Sequence, residues 1–510
     1  MKSRFLHCVW ATLLGLVLAL VVGWLGADTP AGAASAVRYV ATTGADAAND
    51  CTSKTEPCAT IQHTVDVAAP GDEIHVAGGT YSRVGTLAVI TKTLWMWGCY
   101  DPAFTAPDPD LYQTVLDAQW GGSVLSITSA GEVGLMHLTL THGNGSGNCG
   151  SYGCGGGLYA VDTALHVGHS VISDNVANAA GGGHGGGVYV EGDRQVEIWE
   201  SHVVSNTANA DAASSDLGEG GGIYVSGGTV SLIQNQVLDN VAHVWRAGFG
   251  GGIYLNGVSR ADVLTNVIRD NQANGYNSPW GSYGGGLYVG NGSAVMVAGN
   301  QIEDNLTNGT GGGVEVAYSD AHLARNTITG NVAAGGGGVF VQSMTPVTLS
   351  NNLIAHNYAG FRCGGVYASL NSPPGSQVVL VNNTIADNGD IGVGDWTYAV
   401  LTMTNNLIAG HATGISIRNP ASSTVSADTN LFWNVSDPIT GTHAIREDPL
   451  LAQNYHLRPG SPAVDQGLTI PWLTTDLEGR ARPQGSQYDI GAYEGEEVWW
   501  DVFLPLALRN

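Results

Sequence analysis

Aromatic side chains recur at one position of a repeated Gly-rich hexapeptide, and rings at this spacing could bind a sugar polymer. The hexapeptide is close to the form GGGxYx and recurs eight times, with single changes in three copies, between residues 155 and 368. Its fifth position is held in turn by Tyr159, Tyr189, Tyr224, Tyr254, Tyr288, Glu315, Phe340 and Tyr367. If these side chains point outward in register, the rings form a surface on which sugar rings can stack. Alternatively, tyrosine occurs here because it suits a strand and stacks on other tyrosines.

A step in the length of the inserts between repeats coincides with Glu315, the non-aromatic member of this column. The four inserts before residue 284 have 9, 13, 9 and 12 residues, whereas the next three have 5, 4 and 5. The long inserts carry the aromatic residues Trp245, Phe249, Tyr276, Trp280 and Tyr283. Aromatic residues in exposed loops often mark a recognition surface. We therefore predict a ligand site beside the step, with Glu315 as the candidate catalytic residue if the protein is an enzyme.

Three aspartates could form a cation site. Asp239, Asp270 and Asp304 precede the last residue of the same motif in three consecutive repeats. Stacked one per coil, their carboxylates would lie roughly 5 Å apart and would repel one another unless a cation or a raised pKa relieved the repulsion. The pattern is compatible with a Ca²⁺ site or with an acid–base pair. The alternative is that each aspartate belongs to a turn and points into solvent.

The repeats predict the fold that positions these residues. A second motif, typified by NQVLDN at 235–240, alternates with the hexapeptide, and the period is 25 to 35 residues. A unit of this size cannot bury its own apolar face and must stack on its neighbours. Residues 220–240 alternate apolar and polar side chains in short runs between turn residues, which is typical of strands. We predict an all-β fold, a right-handed parallel β-helix solenoid with three short strands per coil, about a dozen coils and a cap at each end.

Asparagine ends the second motif in every repeat, and these residues are predicted to form a ladder at one corner of the solenoid. They are Asn175, Asn206, Asn240, Asn271, Asn305, Asn331, Asn357 and Asn388. Asparagine tolerates left-handed backbone angles, and its amide can bond to neighbouring coils. Two aliphatic columns, which begin at Leu158 and Ile172, are predicted to fill the core.

Composition and charge limit the class of partner. The chain of 510 residues has a formal net charge of −25, which argues against binding of nucleic acid or anionic lipid. Residues 1–36 have the features of a signal peptide, because Lys2 and Arg4 precede an apolar run and a small-residue cleavage site. An uncleaved anchor is the alternative. We therefore expect a secreted or cell-surface protein that contacts the membrane only through this signal or a terminal anchor.

Six cysteines follow the signal peptide, and export would allow them to oxidise. Cys51 is close to Cys58 in the sequence, and Cys149 is close to Cys154, so two local disulfides are predicted. Six cysteines allow 15 pairings, and the sequence alone does not exclude the others. Cys99 and Cys363 belong to distant coils and are predicted to stay reduced.

The N-terminal region, residues 37–121, contains a TxGxD start followed by a stretch of the form TIQ…PGD…V…GxY. The residues of this pattern are Thr43, Gly44, Asp46, Thr60, Ile61, Gln62, Pro70, Gly71, Asp72, Val76, Gly79 and Tyr81. The pattern resembles the opening of bacterial pectate-lyase-like β-helix proteins. This resemblance implies a β-helix that begins with a cap, and it implies little about chemistry. A short amphipathic helix is predicted between Ala59 and Ala69.

The region 419–497 follows the repeat region 122–418 and contains a second recognisable pattern. Its residues are Asp448, Pro449, Leu457, Pro459, Gly460, Ser461, Pro462, Ala463, Asp465, Gly467, Asp476, Gly479, Arg482, Pro483, Asp489, Gly491, Ala492 and Glu494. The pattern resembles the module called choice-of-anchor Q, which ends β-helix domains of exported bacterial proteins. The resemblance implies a C-terminal cap. Residues 498–510 are interpreted either as a sorting signal or as an apolar strand on the last coil.

Polysaccharide lyases and glycoside hydrolases of the pectate-lyase-like type are the enzymatic alternative. Such lyases need a basic residue and a positive group such as Ca²⁺, yet the repeat coils contain no lysine. Arg246, Arg325 and Arg362 are available, and Arg269 is expected to pair with Glu303. Hydrolases need two carboxylates roughly 5–10 Å apart, and the NTD, HG and RIK motifs of pectin hydrolases are absent.

We therefore predict an exported, surface-displayed protein that binds an extracellular polysaccharide or cell-surface glycan without catalysis. The predicted ligand-binding residues are Tyr189, Tyr224, Tyr254, Tyr288, Glu315, Phe340, Tyr367, Trp245 and Trp280. A purely structural stalk is the third interpretation, because fold alone does not determine function.

Overall fold

A computed structural model of the protein describes residues 35–274, 281–292, 294–370, 372–395, 397–436 and 441–495. Strands of successive coils pair in parallel to build three faces, as the alternation in the sequence predicts. The chain is therefore a parallel β-helix, and the predicted fold class is confirmed. Because each coil adds one strand to each face, equivalent residues of successive repeats lie next to one another.

The first face contains the strands that follow the Gly triplets. Its strands are Ala88–Ile90, Leu125–Met136, Leu158–Gly168, Val188–Glu191, Ile223–Ser226, Ile253–Asn256, Leu287–Gly290, Val314–Ala317, Val339–Gln342, Val366–Ala368, Ile391–Asp395 and Thr413–Ile417. The two long strands among them, Leu125–Met136 and Leu158–Gly168, continue into the second face.

The second and third faces complete each coil. The other strands of the second face are Val37–Val40, Glu73–Ala77, Leu94–Tyr100, Gln195–Trp199, Thr229–Ile233, Arg260–Leu264, Val295–Ala298, Ala321–Ala324, Val347–Ser350, Ser376–Val381, Ala399–Thr404 and Thr424–Asp428. The third face consists of Gly79–Ser82, Thr114–Asp117, Thr139–Thr141, Val171–Ser173, His202–Val204, Gln236–Leu238, Val267–Arg269, Gln301–Glu303, Thr327–Thr329, Leu353–Ala355, Thr384–Ala386, Leu407–Ala409 and Leu431–Trp433.

Aliphatic side chains from all three faces point inward and form a continuous core. The column predicted to begin at Leu158 continues in register through Val188 and Ile223, and all three side chains are fully buried. Ile172 pairs with Val203 on the third face in the same way. Both predicted core columns are therefore present, and burial of these apolar side chains is the main favourable term in folding.

The predicted asparagine ladder is also present, and all of its members are buried. Asn271 Nδ2 donates to Oδ1 of Asn305 at 3.0 Å and to the carbonyl oxygen of Val237 at 2.9 Å. Its Oδ1 accepts from the backbone N–H and from Nδ2 of Asn240, each at 3.0 Å. Each side-chain amide thus connects its own coil to the coils on both sides.

A second ladder, which the sequence interpretation missed, runs along the corner between the second and third faces. Its members are Ser170, Ser201, Asn235, Asn266, Asn300, Asn326, Asn352, Asn383, Asn406 and Asn430. Asn266 Nδ2 donates to Oδ1 of Asn300 at 3.0 Å, as in the first ladder. The signal was available in the sequence, because the first letter of each NQVLDN-type motif is asparagine or serine.

The long inserts are not irregular loops, because both of their ends pair with the neighbouring coils. Their first strands are Val176–Asn178, Thr207–Asn209, Val241–His243 and Gln272–Asn274. Their closing strands are Gly183–His184, Gly218–Glu219 and Gly248–Phe249, which extend the hairpin of Ser146–Cys149 and Tyr152–Cys154. In the short inserts Val332–Ala333 pairs with Tyr358–Ala359. The inserts thereby widen the solenoid beside the first face.

The N-terminal end is closed by a cap that contains helix α1 (Ile61–Val67). The hydroxyl of Thr60 accepts a hydrogen bond from the backbone N–H of His63 and so caps the first turn. The helix is shorter than predicted, but Ile61 and Val65 pack into the core as its amphipathic pattern indicates.

Both predicted disulfides, Cys51–Cys58 and Cys149–Cys154, are present, and Cys99 is a buried free thiol, as is Cys363. Disulfides of this kind fit an extracellular protein. Among the described residues there is no helix with the length and hydropathy that a membrane span requires. The predicted signal peptide, apart from residues 35 and 36, and the tail 498–510 lie outside the described residues.

The described part of the C-terminal segment first continues the last coil, where Leu431 bridges in parallel to Ile445. It then packs along the side of the preceding coils. Asn405 donates to and accepts from the backbone of Leu468, each at 2.8 Å. The buried Arg482 forms an ion pair with Glu494 and donates to Oδ1 of Asn351 at 2.9 Å. The segment therefore covers the outer surface of the third face.

Replacing Asn271 by alanine is expected to lower the free energy of unfolding by about 1–3 kcal/mol, because buried groups on two neighbouring coils lose their partner. Arg269→Ala, at an exposed side chain of the same coil, is the control and should change stability by less than about 0.5 kcal/mol. Urea unfolding followed by circular dichroism measures both. Equal stability of Asn271→Ala and the wild type would contradict the role assigned to the ladder.

Candidate functional site

The predicted aromatic column exists, but its rings stack on one another along the solenoid axis. From Tyr159 to Tyr288, successive ring centroids lie 5.5, 4.9, 5.0 and 5.0 Å apart, with interplanar angles of 9°, 9°, 12° and 7°. Each internal ring of the stack therefore has a neighbouring ring on both of its faces. A sugar ring cannot stack on a face that is already covered, so only the ring edges remain for a ligand.

The column is also less exposed than a strand surface pointing into solvent would be. Exposed fractions of only 5%, 7%, 6% and 2% are found for Tyr189, Tyr254, Phe340 and Tyr367. Partial exposure is retained by Tyr159, Tyr224 and Tyr288. The side chains do point away from the apolar core, as predicted, but other side chains lie over them. This corrects the expectation of an open platform and favours the alternative in which the tyrosines stack on each other for stability.

The covering side chains belong to the residue immediately before each Gly triplet. In chain order they are Cys154, His184, Glu219, Phe249, Tyr283 and Thr310, and parallel pairing aligns them in a second column. Two of them contact the ring of the next coil: the His184 ring lies 5.3 Å from Tyr224, and Phe249 lies edge-on to Tyr288 at 5.6 Å. Thr310 instead bonds to Glu315 of its own coil. The sequence contains a signal for this column, because each of these residues directly precedes a Gly triplet. Interpretation of these residues as the ends of loops alone does not predict the column.

Carboxylates accept hydrogen bonds from the hydroxyl edge of the tyrosine stack. The Tyr189 hydroxyl donates to Glu191 at 2.6 Å. Glu219 accepts from the Tyr254 hydroxyl and lies 2.9 Å from Nδ1 of His184. Burial, together with these carboxylates, raises the pKa of Tyr189 and of Tyr254 above the ordinary value for tyrosine. The phenols therefore remain protonated donors, and this edge braces the inserts against the first face.

Glu315 takes the place of a tyrosine in the stack and is almost completely enclosed, with 1% of its surface exposed. It pairs in register with Tyr288 on one side and with Phe340 on the other. The Thr310 hydroxyl donates to its Oε2 at 2.8 Å, and the backbone N–H of Gly284 also donates to the carboxyl group. Burial outweighs these bonds and raises the pKa of Glu315 well above its ordinary value.

A protonated carboxyl group is a suitable general acid, but the position of Glu315 does not favour hydrolysis. Its enclosure leaves no access for a substrate. Glu219, the carboxylate of the covering column, lies three coils earlier, which is roughly 14 Å along the axis at the ordinary strand spacing. Glycosidases hold their two carboxyl groups roughly 5–10 Å apart. The pair therefore does not have the geometry of a hydrolase.

The structure does not bring together the three aspartates considered for a cation. Asp239, Asp270 and Asp304 have φ angles of 55°, 57° and 52° at exposed turns, and in the described part of the chain their three carboxylates do not all lie within 4.8 Å of one another. Arg269 Nε lies 3.2 Å from Asp270 Oδ2, whereas the sequence predicted a pair with Glu303. The turn interpretation accounts for all three positions.

Of the two tryptophans predicted to bind ligand from the long inserts, Trp245 keeps 45% of its surface exposed and is available to a ligand. Trp280 lies outside the described residues, as does the neighbouring Tyr276.

A different aromatic surface, which the sequence analysis missed, lies on the outer side of the second face in the N-terminal coils. We call it the tryptophan platform, and it consists of Trp95, Trp97, His166 and Trp199. The Trp95 ring centroid lies 6.0 Å from that of Trp97 and 5.5 Å from that of His166, with interplanar angles of 22° and 19°. All four side chains are partly exposed.

Two glycines make room for the indole rings of the platform. Gly134 pairs with Trp95 on one side and with His166 on the other, and a Cβ atom at Gly134 would lie 2.0 Å from the Trp95 ring. Gly168 pairs with Trp199, and a Cβ atom there would lie 2.5 Å from the Trp199 ring. Each indole therefore lies directly over the backbone of an adjacent coil.

Carboxylates border the tryptophan platform. Glu197 Oε2 lies 2.9 Å from His166 Nδ1, and Glu132 Oε1 lies 3.4 Å from Nε2 of the same ring. The hydrogen bond from His166 lowers the pKa of Glu197. Glu73 pairs in register with Trp95 and keeps 44% of its side chain exposed. Rings beside carboxylates can hold a ligand that has both an apolar face and polar donors.

Tyr254→Ser is expected to lower the free energy of unfolding by about 2–4 kcal/mol, because it removes a buried ring that is stacked on both faces. Tyr318→Ser provides the control, since Tyr318 is 49% exposed and the change should cost less than about 0.5 kcal/mol. Denaturant unfolding tests both variants. A fully stable Tyr254→Ser protein would mean that the stack does not contribute to folding.

Glu315→Gln should change how stability depends on pH. The pKa of Glu315 is raised in the folded state, so the folded protein loses stability as pH rises from the unfolded value of about 4.3 through the folded value. The variant lacks this loss. Its stability relative to the wild type should therefore increase as the pH rises above the unfolded value. Glu303→Gln, at a partly exposed position, is the control, and its stability difference from the wild type should not change with pH. A stability difference for Glu315→Gln that is also independent of pH would contradict the prediction.

Comparisons with known proteins agree with this fold. Residues 186–373 match the family model described as a right handed beta helix region, and a search of curated proteins finds no match. Similar solved structures include pectate lyase Pel9A, with 14% identity, coverage of 92% of this chain and 98% of that chain, and a TM-score of 0.39. XylC in complex with xylose has 11% identity, with coverage of 90% of this chain and 99% of that chain and a TM-score of 0.48. A rhamnogalacturonan lyase has 9% identity, with coverage of 78% of this chain and 87% of that chain and a TM-score of 0.24. Similarity at this level carries no argument about the site. The chain is a right-handed parallel β-helix solenoid, with the handedness that the crossover rule predicts.

Proposed function

We propose that the protein is exported, displayed at the cell surface, and binds an extracellular polysaccharide or cell-surface glycan through the tryptophan platform without catalysis. The observation that carries the proposal is the layer of partly exposed indole rings held over glycines on the second face. Pyranose rings present apolar C–H faces that pack on indole rings, while their hydroxyl groups need polar partners. The glutamates that border the platform supply strong acceptors for those hydroxyls.

The platform supports glycan binding better than the tyrosine column does. The tyrosine faces are occupied by other tyrosines, and their hydroxyls are engaged with carboxylates of the same protein. Trp95 is itself stacked with His166, but Trp95 and Trp199 lie against the backbone of glycines and leave part of each ring to solvent. Preformed aromatic surfaces bind with a low entropic cost, because no side chain has to be ordered first.

The chemistry of the platform favours binding over turnover. Both ring nitrogens of His166 lie close to carboxylates, so the imidazole is held in place as a bridge between Glu132 and Glu197. The platform strands Leu94–Tyr100 and Gln195–Trp199 contain no lysine or arginine. A lyase needs such a group to remove a proton beside a carboxylate, which is why we assign this surface a binding role.

Trp95→Ala is expected to weaken glycan binding about five- to tenfold, because the loss of one stacked ring costs roughly 1 kcal/mol. Trp199→Ala should have a similar effect, and the double variant a larger one. Trp433→Ala is the matched control: its side chain is 40% exposed on the last coil, away from the platform. A glycan array identifies ligands, titration calorimetry measures affinities, and thermal unfolding checks that each variant is folded.

The same experiment separates the alternatives. An assay for unsaturated products and for reducing ends, run with and without Ca²⁺, detects a lyase or hydrolase, and turnover would overturn the non-catalytic assignment. Binding that is unaffected by Trp95→Ala and Trp199→Ala would remove the platform from the proposal. If no glycan binds to the folded wild-type protein, the structural stalk is the better interpretation.

A further inference from the structure

The charged side chains that border the tryptophan platform are mostly acidic. Glu73, Glu132 and Glu197 border the rings, and their side chains are 44%, 50% and 35% exposed. All three carboxylates can therefore reach a ligand that lies on the indole rings.

The strands of this border contain no strongly basic residue, but Lys92 and the exposed Arg194 lie just before two of them. The four strands that cross the platform coils, Leu94–Tyr100, Leu125–Met136, Leu158–Gly168 and Gln195–Trp199, contain neither lysine nor arginine. Lys92 lies just before the first of them, but its Nζ donates to the carbonyl oxygens of residues 65, 66 and 68 in the N-terminal cap. The ring nitrogens that lie close to these glutamates belong to His75, beside Glu73, and to His166, between Glu132 and Glu197.

We infer that the tryptophan platform selects glycans that carry free amino groups, such as polymers of unacetylated hexosamine, over neutral and acidic glycans. This inference rests on the proposed function. An ammonium group is attracted both by the face of an indole ring and by a nearby carboxylate. Trp95 and Glu197 offer these two partners on the same surface, joined through His166. A uronate would instead place its carboxylate against three glutamates.

A polymer of sugar rings fits this surface better than a basic peptide does. The aromatic side chains occupy two adjacent columns that cross successive coils, with Trp95 and His166 in one and Trp97 and the Trp199 ring over Gly168 in the other. Coils repeat at roughly 4.8 Å, so Trp95 and His166, two coils apart, extend the platform along the solenoid axis. Rings spread along the axis match an extended ligand built of rings, and Glu73, Glu132 and Glu197 lie beside them in alternate coils.

The test compares four ligands of matched length on the full-length protein: an oligomer of glucosamine, its N-acetylated counterpart, an oligogalacturonate and a lysine-rich peptide. At low salt the glucosamine oligomer should bind at least tenfold more tightly than the acetylated one, and the oligogalacturonate should bind least. Glu197→Gln and Glu132→Gln should each reduce this preference severalfold, because each weakens binding of the glucosamine oligomer more than binding of the acetylated one. Glu303→Gln, at a partly exposed position on the third face, should leave the preference unchanged.

The acidic chain could attract any polycation, and Trp95→Ala controls for this. If the glucosamine oligomer binds Trp95→Ala as tightly as the wild type, the attraction is non-specific and the inference fails. Equal affinity for the acetylated and unacetylated oligomers overturns the selectivity but leaves the proposed function standing, whereas absence of binding to every glycan overturns both. Tighter binding of the lysine-rich peptide than of the glucosamine oligomer would make this a peptide site and would also overturn the inference.

Discussion

The amide ladders are the interaction on which the rest of this structure depends. In each coil one buried asparagine donates to the asparagine of the next coil and to a backbone carbonyl of the previous one, as Asn271 does towards Asn305 and Val237. A buried amide without its partner costs more free energy than its hydrogen bond contributes. A change of register in one coil would therefore also break hydrogen bonds of the neighbouring coils. The ladder ends at His411, whose Nε2 accepts from the backbone N–H of Asn388 at 3.2 Å. An imidazole nitrogen thus replaces the amide oxygen at the last position.

The repeat motifs were sufficient to predict the fold, because a solenoid repeats its constraints in every coil. The Gly-rich hexapeptide, the aliphatic positions and the terminal asparagine each recur eight times, and the structure confirms the core columns and the first ladder. Burial of the tyrosines was not predictable from strand alternation. That alternation tells which side chains leave the core, but Tyr254 is covered by residues of an insert whose path the motifs do not encode. The tryptophan platform was harder to find, since Trp95, His166 and Trp199 are far apart in sequence and become neighbours only through pairing register.

Buried charge has a structural use at the C-terminal end. The charged residues that carry the resemblance to the anchor module include Asp476, Arg482, Asp489 and Glu494, and all four are buried. Arg482 forms an ion pair with Glu494 and donates to the backbone of Gly491 at 2.7 Å. Burial raises the pKa of Asp489 to about 6, although backbone N–H groups bond to its carboxylate. These residues therefore shape the segment and attach it to the third face.

The ladders and the inserts are separate parts of each coil, so the insert of one coil can change while the ladders stay the same. Lengthening a loop costs only about 0.6 kcal/mol for each doubling, and an amide in the ladder needs no more than one neighbour on either side. A coil could therefore be duplicated, deleted or given a new insert during evolution while the corners keep the same hydrogen bonds. The sequence already shows such variation, because the residue before the Gly triplet is His184, Glu219, Phe249 and Tyr283 in four successive coils. The repeated hydrogen bond of the ladders therefore keeps the scaffold uniform while it allows the surface of the inserts to vary.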